Sequence, residues 1–256
     1  MVVLSDGRRV RSSLAQAGDE PALLVGLAPG VPVLVGADRG VAALRAVATF
    51  GAEVVVLDDG MQHHRLARDV EIVTLDGREG LGNGWVLPRG PLRERLSSLG
   101  RADAVLVVDG PLGERDEARL ERFAPAVRRE AGRRRPRTLR PLAGGPGEPP
   151  EWLAGREVGL LSGIARPASL RRSVEALGAT VVAERRFPDH HVYGPADVAG
   201  LAAGAPCWVT TEKDAVKILP AWVEAGAELR VLAIALEVEA GDAFVDWIES
   251  RLRASR

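Results

Sequence analysis

Short aliphatic runs alternate with longer segments of helical periodicity along most of this chain of 256 residues. The runs that are typical of strands cover 31–36, 53–58, 70–76, 103–110, 156–165, 179–187, 205–214 and 229–238. Most of them are continuously apolar rather than alternating, which indicates strands that are covered on both faces. Helices that connect parallel strands provide such cover. The sequence therefore predicts an α/β fold with a mainly parallel sheet flanked by helices.

Helices are predicted between the strands, where apolar residues recur at helical spacing. They cover 37–50, 114–131 with an interruption at Pro125, 167–178, 195–203, 212–219 and 241–253. Six of the eleven residues in 142–152 are Gly or Pro, which predicts a linker. The sequence thus predicts a core lobe at 1–141 and a second, smaller α/β lobe at 153–256.

The composition is that of a globular protein with a sizeable core, since 46% of the residues are hydrophobic and 27% are charged. The formal net charge of −1 argues against a general nucleic-acid-binding surface, so no nucleic-acid partner is expected. The one cysteine, Cys207, excludes a disulfide framework and favours a reducing compartment. No apolar run approaches the roughly 18–20 residues that span a bilayer, so any membrane contact is expected to be peripheral.

The run 53–58 ends in Asp58, and Asp59 and Gly60 follow it. A strand that is buried on both faces would deliver both carboxylates to its C-terminal end, where open α/β sheets bind ligands. Carboxylates in that position need a cation or a proton. An apolar strand that ends in acid is the Walker B pattern of nucleoside triphosphatases, in which an aspartate holds Mg²⁺. The alternative is structural, because many parallel strands end in Asp as the N-cap of the next helix.

The four histidines of the chain form two adjacent pairs, His63–His64 and His190–His191. Gln62 and the first pair follow the acidic residues closely, so a carboxylate there could orient an imidazole and raise its basicity. Metal ligation by both histidines of a pair is an alternative, although adjacent side chains point apart in regular structure. An arrangement in which one histidine from each pair meets a carboxylate is easier to build.

A long Gly- and Pro-rich segment, 77–96, follows the predicted strand at 70–76. Its position next to the acid-bearing strands suggests a role in binding, and Asn83, Arg89 and Arg93 could contact a substrate. A generic surface loop is the alternative interpretation.

Two further segments also have both a structural and a functional interpretation. The segment RRRPR, 133–137, is typical of a solvated turn, and contact with anionic lipid headgroups is the alternative. The segment TTEKDAVK, 210–217, contains both lysines of the chain and is expected to begin a helix with Thr211 as its cap, whether or not Lys213 touches a ligand.

Several of these stretches resemble one known family. The segment LDDGMQHHRLARDVEIVTLDGREGLGNGWVLPRGPLRERLSSLGRAD, 57–103, is similar to the signature region of tetraacyldisaccharide 4′-kinase, the lipid A 4′-kinase of Gram-negative bacteria. Further stretches that resemble the family, in the same order, are AGDEPALL (17–24), PVLVGADR (32–39), SGIARPASL (162–170), RRFPDHHVYG (185–194) and VTTEKDAVKI (209–218).

The resemblance implies a fold like that of P-loop nucleoside triphosphatases, with two lobes. It implies transfer of the γ-phosphate of ATP, with Mg²⁺, to the 4′-hydroxyl of tetraacyldisaccharide 1-phosphate. It also implies peripheral association with the cytoplasmic face of the bacterial inner membrane, where this glycolipid is found.

The resemblance also implies roles for individual residues. Asp58 and Asp59 match the family's acidic pair, which is associated with Mg²⁺, and Asp59 with catalysis as well. Asp19 matches a position that acts in substrate activation or metal binding, and His190 matches a histidine that pairs with one of the acidic aspartates.

Two polar positions after the acidic pair also match. Gln62 is expected to contact the cofactor, and His63 is expected to orient the acidic pair in catalysis. The implied mechanism is in-line phosphoryl transfer, in which positioning and charge neutralisation provide most of the acceleration.

The sequence departs from the family pattern in one respect. A P-loop needs a glycine-rich turn followed by Lys and Ser or Thr, and no such run occurs in residues 1–256. Family members carry this loop, and a membrane-associating helix, upstream of the segment that matches Met1. The first strand and the P-loop are therefore expected to be missing from this chain, and its kinase activity as written is expected to be weak or absent.

Two other classes of function remain open from the residues. A metal-dependent hydrolase could use the Asp and His residues around zinc or manganese without a P-loop. A non-catalytic remnant that binds glycolipid is the second alternative, and it would bind lipid without needing ATP.

Overall fold

The computed structural model describes residues 1–12 and 17–255. The chain divides into two compact units, of which unit 1 comprises Met1–Val55 and Pro136–Ile234 and unit 2 comprises Val56–Arg135 and Ala235–Arg256. The strands are β1 (Val2–Asp6), β2 (Pro32–Val35), β3 (Ile72–Asp76), β4 (Ala104–Val108), β5 (Arg128–Pro141), β6 (Glu157–Ser162), β7 (Thr180–Arg186), β8 (Trp208–Thr211) and β9 (Leu229–Val238). The α-helices are α1 (Asp19–Leu27), α2 (Arg39–Phe50), α3 (Glu114–Phe123), α4 (Pro167–Ala176), α5 (Leu201–Gly204), α6 (Glu212–Ala215) and α7 (Gly241–Ala254).

Unit 1 contains a parallel sheet in which β8 lies between β9 and β6, and β7 pairs with the other edge of β6. Helix α4 packs on β6 and β7. A separate antiparallel pair, β1 and β2, belongs to the same unit. Helix α2 follows β2 and begins at Asp38, whose side chain accepts a hydrogen bond from the N–H of Val41, and it ends at Gly51 in the left-handed conformation.

The largest fully buried side chain in the core of unit 1 is that of Trp208, in β8, which is 2% exposed. Its indole N–H donates to the carbonyl of Leu201 at 2.7 Å, so its polar edge is satisfied. The ring lies directly against Gly159 and Gly204, where a Cβ would come within 2.5 Å and 2.8 Å of the indole. Both positions therefore need glycine for a packing reason. Cys207, the residue before β8, is buried, as expected of a small hydrophobic side chain. Burial raises the pKa of its thiol to about 12.

Unit 2 contains the parallel pairs β3–β4 and β4–β5, and its core lies between these strands and α3. Asp76 ends β3 and Asp109 follows β4, so both carboxylates lie at the C-terminal edge of the sheet. Arg134 bonds to both, with Nε 2.6 Å from Asp109 and Nη2 2.7 Å from Asp76. The glycine after each aspartate permits a close approach, because a Cβ at Gly77 would lie 1.9 Å from the carbonyl oxygen of Gly110.

The aliphatic run 53–58 does not form the predicted buried strand. Residues 54–57 have no regular structure, Val56 is 90% exposed, and Asp58 and Asp59 lie in a turn. Among the residues that the structure describes, no strand hydrogen-bonds to this run. The prediction was wrong because apolar, β-branched residues favour a strand only where a neighbouring strand provides partners.

The predicted helix 114–131 is shorter, since α3 ends at Phe123, just before Pro125. The following residues form β5, so the predicted turn at 133–137 is also wrong. The sequence of β5 is rich in arginine and contains Pro136, so it does not have the pattern that is typical of strands. Its side chains nevertheless alternate between more and less buried positions along its first half.

The predicted helix 195–203 is divided into a 3-10 turn, Pro195–Val198, and the short α5, because Gly200 between them is left-handed. The predicted helix 212–219 ends at Ala215. Two elements were not predicted from the sequence patterns. They are the strand β1, which pairs with β2, and the helix α1.

The predicted linker, 142–152, does not lie between the two compact units. These residues belong to unit 1, and a backbone bridge from Leu139 to Glu148 ties the loop to β5. Its Gly and Pro content correctly indicates a loop, but local composition does not determine which strands share a sheet. In the described part of the chain, no helix has both the length and the apolar character needed to cross a bilayer.

Candidate active site

Asp19 and His190 form a hydrogen-bonded pair in unit 1. Both carboxylate oxygens of Asp19 lie 3.1 Å from Nδ1 of His190. Asp19 is the first residue of α1 and its side chain is 12% exposed, whereas the side chain of His190 is 57% exposed. His190 lies in the loop after β7 in the left-handed conformation, with φ 60°. The pair thus combines a largely buried carboxylate with an imidazole that solvent and ligands can reach.

Two lysines approach the same carboxylate. Nζ of Lys217 lies 3.5 Å from Oδ2 of Asp19, and Nζ of Lys213 lies 3.8 Å from the same oxygen. The two residues are four apart, on α6 and the turn that continues it, so their side chains leave the same face. Each lysine has a second carboxylate partner, which is Asp189 at 3.1 Å for Lys213 and Asp214 at 3.2 Å for Lys217.

The charges around Asp19 keep its carboxylate ionised. Burial raises the pKa of Asp19, but the hydrogen bond with His190 and the charges of Lys213 and Lys217 outweigh it, so the pKa lies below its ordinary value. The pKa of Asp189 is lowered as well, because its contacts with Lys213 and His190 outweigh the cost of its burial. At neutral pH the site therefore presents a hydrogen-bond acceptor surrounded by cations.

The second histidine of this pair has a different environment. Nε2 of His191 lies 3.0 Å from the carboxylate of Asp197, and its ring stacks on Phe187 with the ring centroids 4.4 Å apart. A hydrogen bond from the N–H of Gly194 and the contact with His191 lower the pKa of Asp197. His191 thus packs within the loop, and His190 is the member of the pair that contacts Asp19.

In unit 2, Asp59 forms an ion pair with Arg93. Asp58 and Asp59 are both exposed in the turn after residue 57, and Asp59 is left-handed, with φ 54°. The exposed ion pair joins a predicted metal ligand to a predicted substrate-binding residue. Asp59 belongs to unit 2 and His190 to unit 1, and the implied pairing of these two side chains stays a prediction.

Gln62 contacts a carboxylate that the sequence patterns did not single out. Its amide donates to Glu94 at 2.9 Å, and Arg101 and Ser98 also donate to this carboxylate, each at 2.8 Å. These hydrogen bonds, with that from Arg101 the strongest, outweigh the effect of burial and lower the pKa of Glu94 to about 2. His63 contributes to the same turn through its backbone, since its carbonyl accepts from the guanidinium of Arg68 at 2.9 Å.

The segment 77–96 is held in place by its own side chains and by α3. The amide of Asn83 donates to the carbonyl of Arg89 at 2.8 Å, and its oxygen accepts from the N–H of Trp85 at 3.0 Å. The guanidinium of Arg89 lies over the ring of Trp85. Asn83 therefore stabilises the loop from within, whereas Arg89 and Arg93 are exposed and can reach a ligand.

Helix α3 fixes the other side of this segment. Asp116 accepts from the N–H of Leu81 at 2.9 Å, and Arg119 donates to the carbonyls of Gly82 and Asn83 at 3.0 Å each. Asp116 and Arg119 also pair with each other at 2.7 Å, and both side chains are mostly buried. A loop that is fixed at this many points can hold exposed side chains in a defined position.

Across residues 1–12 and 17–255, the structure has no group of three or more His, Cys, Asp or Glu side chains placed to hold a metal ion. The binding of zinc by a cluster of histidines is therefore not supported by the described residues. The sequence patterns also missed the contacts of Lys213 and Lys217 with Asp19. The only signal was that both lysines of the chain fall four residues apart in one segment.

Comparison with known proteins identifies the family. The family model described as Tetraacyldisaccharide-1-P 4′-kinase (LpxK) matches residues 2–253. A tetraacyldisaccharide 4′-kinase of Anaeromyxobacter sp. (strain K) is 43% identical over 263 residues, which cover 99% of this chain and 69% of that protein. One of Syntrophus aciditrophicus (strain SB) is 39% identical over 237 residues, which cover 85% of this chain and 63% of that protein. This chain thus spans about two thirds of the length of these relatives.

A solved structure gives the same result. The crystal structure of an "apo" form of LpxK from Aquifex aeolicus in complex with ATP has a TM-score of 0.75 and is 27% identical. The match covers 98% of this chain and 74% of that protein. The predicted α/β fold of the P-loop nucleoside triphosphatase type, with a mainly parallel sheet flanked by helices, is confirmed. The chain belongs to the tetraacyldisaccharide-1-P 4′-kinase family.

Proposed function

We propose that this chain acts in the ATP-dependent phosphorylation of the 4′-hydroxyl of tetraacyldisaccharide 1-phosphate. The observation that carries the proposal is the Asp19–His190 pair, within a chain that belongs to a family of kinases for this acceptor. The relatives named above are kinases, so neither a metal-dependent hydrolase nor a glycolipid-binding remnant is favoured. The use of ATP is supported by the Aquifex aeolicus protein, which was crystallised with it.

Asp19 is the residue that we assign to the acceptor hydroxyl. An ionised carboxylate can accept a hydrogen bond from this hydroxyl and orient its oxygen toward the γ-phosphorus. As the new P–O bond forms and the bond to the leaving ADP breaks, the hydroxyl proton passes to Asp19. His190 donates from Nδ1 to the carboxylate and fixes its orientation.

Asp58 and Asp59 are the residues that we assign to Mg²⁺. Mg²⁺ in nucleotide-dependent enzymes is held by one or two carboxylates together with substrate phosphates, so a separate cluster of three protein ligands is not required. Two adjacent, exposed carboxylates fit this requirement. The ion neutralises charge on the phosphate oxygens when it is bound. We assign Gln62 and His63 to the surroundings of the nucleotide and of this pair.

Arg89 and Arg93 are the residues that we assign to the anionic acceptor, with Asn83 holding the loop from which they project. An exposed guanidinium on a fixed loop suits a phosphate or a sugar hydroxyl. Because the acceptor carries four acyl chains, we also propose that the protein meets it at a membrane surface, on the cytoplasmic side where ATP is available.

The test compares Asp19→Asn and Asp59→Ala with the wild-type protein in a phosphoryl-transfer assay with ATP, Mg²⁺ and the glycolipid. The assay is run on the 256-residue chain and on a fusion that places the phosphate-binding segment of a family member ahead of Met1. We expect weak or no turnover from the 256-residue chain alone. In the fusion, we expect turnover to fall by about 10²- to 10⁴-fold for Asp19→Asn, with an unchanged circular dichroism spectrum. We expect Asp59→Ala to abolish turnover in the same way.

Glu175→Gln is the matched control, because it removes an exposed carboxylate that pairs with Arg171 on the surface of α4. Its turnover should equal that of the wild-type protein. Near-normal turnover of Asp19→Asn would contradict the assignment of Asp19. Release of phosphate from a phosphoester without any ATP would instead point to a hydrolase.

A further inference from the structure

Lys217 lies between two carboxylates that come from different parts of unit 1. One is Asp19 at the start of α1, 3.5 Å away, and the other is Asp214, 3.2 Å away. The side chain of Lys217 is 16% exposed and that of Asp214 is fully buried. A buried carboxylate is stable only with a cation or with several hydrogen bonds, and this one has both.

Asp214 is itself fixed by the ends of two strands. Its Oδ2 accepts from the N–H of Gly163, directly after β6, at 3.0 Å, and from the hydroxyl of Thr211, the last residue of β8, at 2.9 Å. The backbone N–H of Asp214 also donates to the hydroxyl of Thr211 at 3.1 Å. The position of this carboxylate is thus set by the sheet, and the position of the Lys217 ammonium follows from it.

Lys213 differs from Lys217 in this respect. Its nearer partner is Asp189, whose side chain is one-third exposed, and its distance to Asp19 is 3.8 Å. Asp189 lies in the same loop as His190 rather than on the sheet. Of the two lysines, only Lys217 connects Asp19 to a carboxylate that is fully buried and fixed by the sheet.

We infer that Lys217, anchored by Asp214, is a positioning residue that holds the Asp19 carboxylate so that both of its oxygens face His190 Nδ1. The inference rests on the proposed function, since it gives Asp19 the reacting role. The residue acts through Asp19 and does not itself touch the acceptor. Helix α1 also packs against α6, so the lysine connects the two helices at the point where the carboxylate is needed.

The first test reads the imidazole directly. The chain has four histidines, so a long-range ¹H–¹⁵N spectrum of their side chains can be assigned by replacing each in turn. Asp19→Asn defines the change in the His190 Nδ1 signal when its partner loses its charge. We expect Lys217→Met to move this signal in the same direction and to leave that of His191, which is bonded to Asp197, unchanged. An unmoved His190 signal in Lys217→Met would overturn the inference.

The second test is kinetic. In the fusion described above, we expect Lys217→Met to lower kcat on the order of 10- to 100-fold, as a misplaced catalytic group does, with KM values for ATP and glycolipid near those of the unsubstituted fusion. Lys217→Arg keeps the charge and should recover part of the loss. Arg171→Met is the control, since it removes a cation that pairs with two carboxylates elsewhere in unit 1, and its kcat should not change.

Lys217→Met leaves Asp214 buried without its cation and could fail to fold, so the double variant with Asp214→Asn removes both charges together. If Asp214 acts through Lys217, the double variant should have the same kcat as Lys217→Met. If the double variant has the kcat of the wild-type protein while Asp19→Asn is inactive, the role of Lys217 is overturned and the proposed function is not. An active Asp19→Asn would overturn the proposed function as well.

Discussion

Glu94 provides a quantitative test of the turn that carries Gln62. Its carboxylate accepts hydrogen bonds from Gln62, Ser98 and Arg101, and its pKa is lowered from 4.5 to about 2. The folded protein thus keeps Glu94 ionised at pH values where the unfolded chain binds a proton. Replacing Glu94 by Gln removes the charge while keeping the size of the side chain.

The expected loss of stability follows from the pKa difference. A shift of this size corresponds to at most ~3 kcal/mol between the two protonation states. Because the side chain is still 19% exposed, solvent screening reduces this contribution, and we expect Glu94→Gln to lower the free energy of unfolding by ~1–2 kcal/mol at pH 7.

The sign of the pH dependence is fixed by the direction of the shift. A lowered pKa stabilises the folded state above the pKa of the unfolded chain, so the difference between wild type and variant should be complete above about pH 5.5. It should shrink as the pH falls from 4.5 toward 2. Urea unfolding at a series of pH values, followed by circular dichroism, measures this difference.

Glu249→Gln is the control for this experiment, because Glu249 is 55% exposed and pairs with Arg253 on the surface of α7. We expect it to change stability by less than ~0.5 kcal/mol at any pH. A Glu94→Gln variant with the stability of the control at pH 7, or a difference that grows as the pH falls, would refute the reasoning.

Two further changes test the loop and the core. Asp116→Asn weakens the hold of α3 on the segment 77–96, so we expect a loss of ~1–2 kcal/mol and faster hydrogen exchange at the N–H of Leu81, measured by NMR. Gly159→Ala places a Cβ 2.5 Å from the buried indole of Trp208, so we expect a loss of ~1–3 kcal/mol, measured by thermal unfolding.

Each of these changes has a matched control. Glu117→Gln alters a neighbouring residue of α3 whose exposed carboxylate pairs with Arg129, and the exchange of Leu81 should not respond to it. Gly241→Ala adds a methyl group at the first residue of α7, where nothing lies within 4 Å, and its stability should stay within ~0.5 kcal/mol of wild type. Unchanged exchange in Asp116→Asn, or equal stability of the two alanine variants, would contradict the expected roles.

The sequence patterns correctly predicted the strands that are continuous apolar runs between helices, namely β3, β4 and β6–β9. They failed where structure depends on a partner distant in sequence. The run 53–58 has the composition of a strand, but Val56 is exposed, because residue type does not reveal whether a neighbouring strand is present. Conversely, β5 is rich in arginine and contains Pro136, yet it pairs in register with β4 over Arg128–Gly132.

The candidate site shows the same division. The family resemblance pointed to Asp19 and to His190, and it implied that His190 pairs with one of the two acidic residues, Asp58 or Asp59. In the structure His190 contacts Asp19, which is 171 residues away in the sequence. The sequence could not show that Lys217 links Asp19 to Asp214, because that arrangement depends on how α1 packs against α6. Nor could it show that Asn83 bonds within its own loop, since an amide suits a ligand and a backbone carbonyl equally well.

If Asp59 holds Mg²⁺ and Arg93 binds the acceptor, as proposed above, their ion pair would couple the binding of these two ligands. A divalent cation that binds Oδ2 of Asp59 would compete with the guanidinium of Arg93, and the released guanidinium could then bind an anion. Each ligand therefore lowers the cost of binding the other, and by thermodynamic linkage the effect is equal in both directions. Nucleotide-bound metal and anionic glycolipid would thus bind cooperatively without any change of fold.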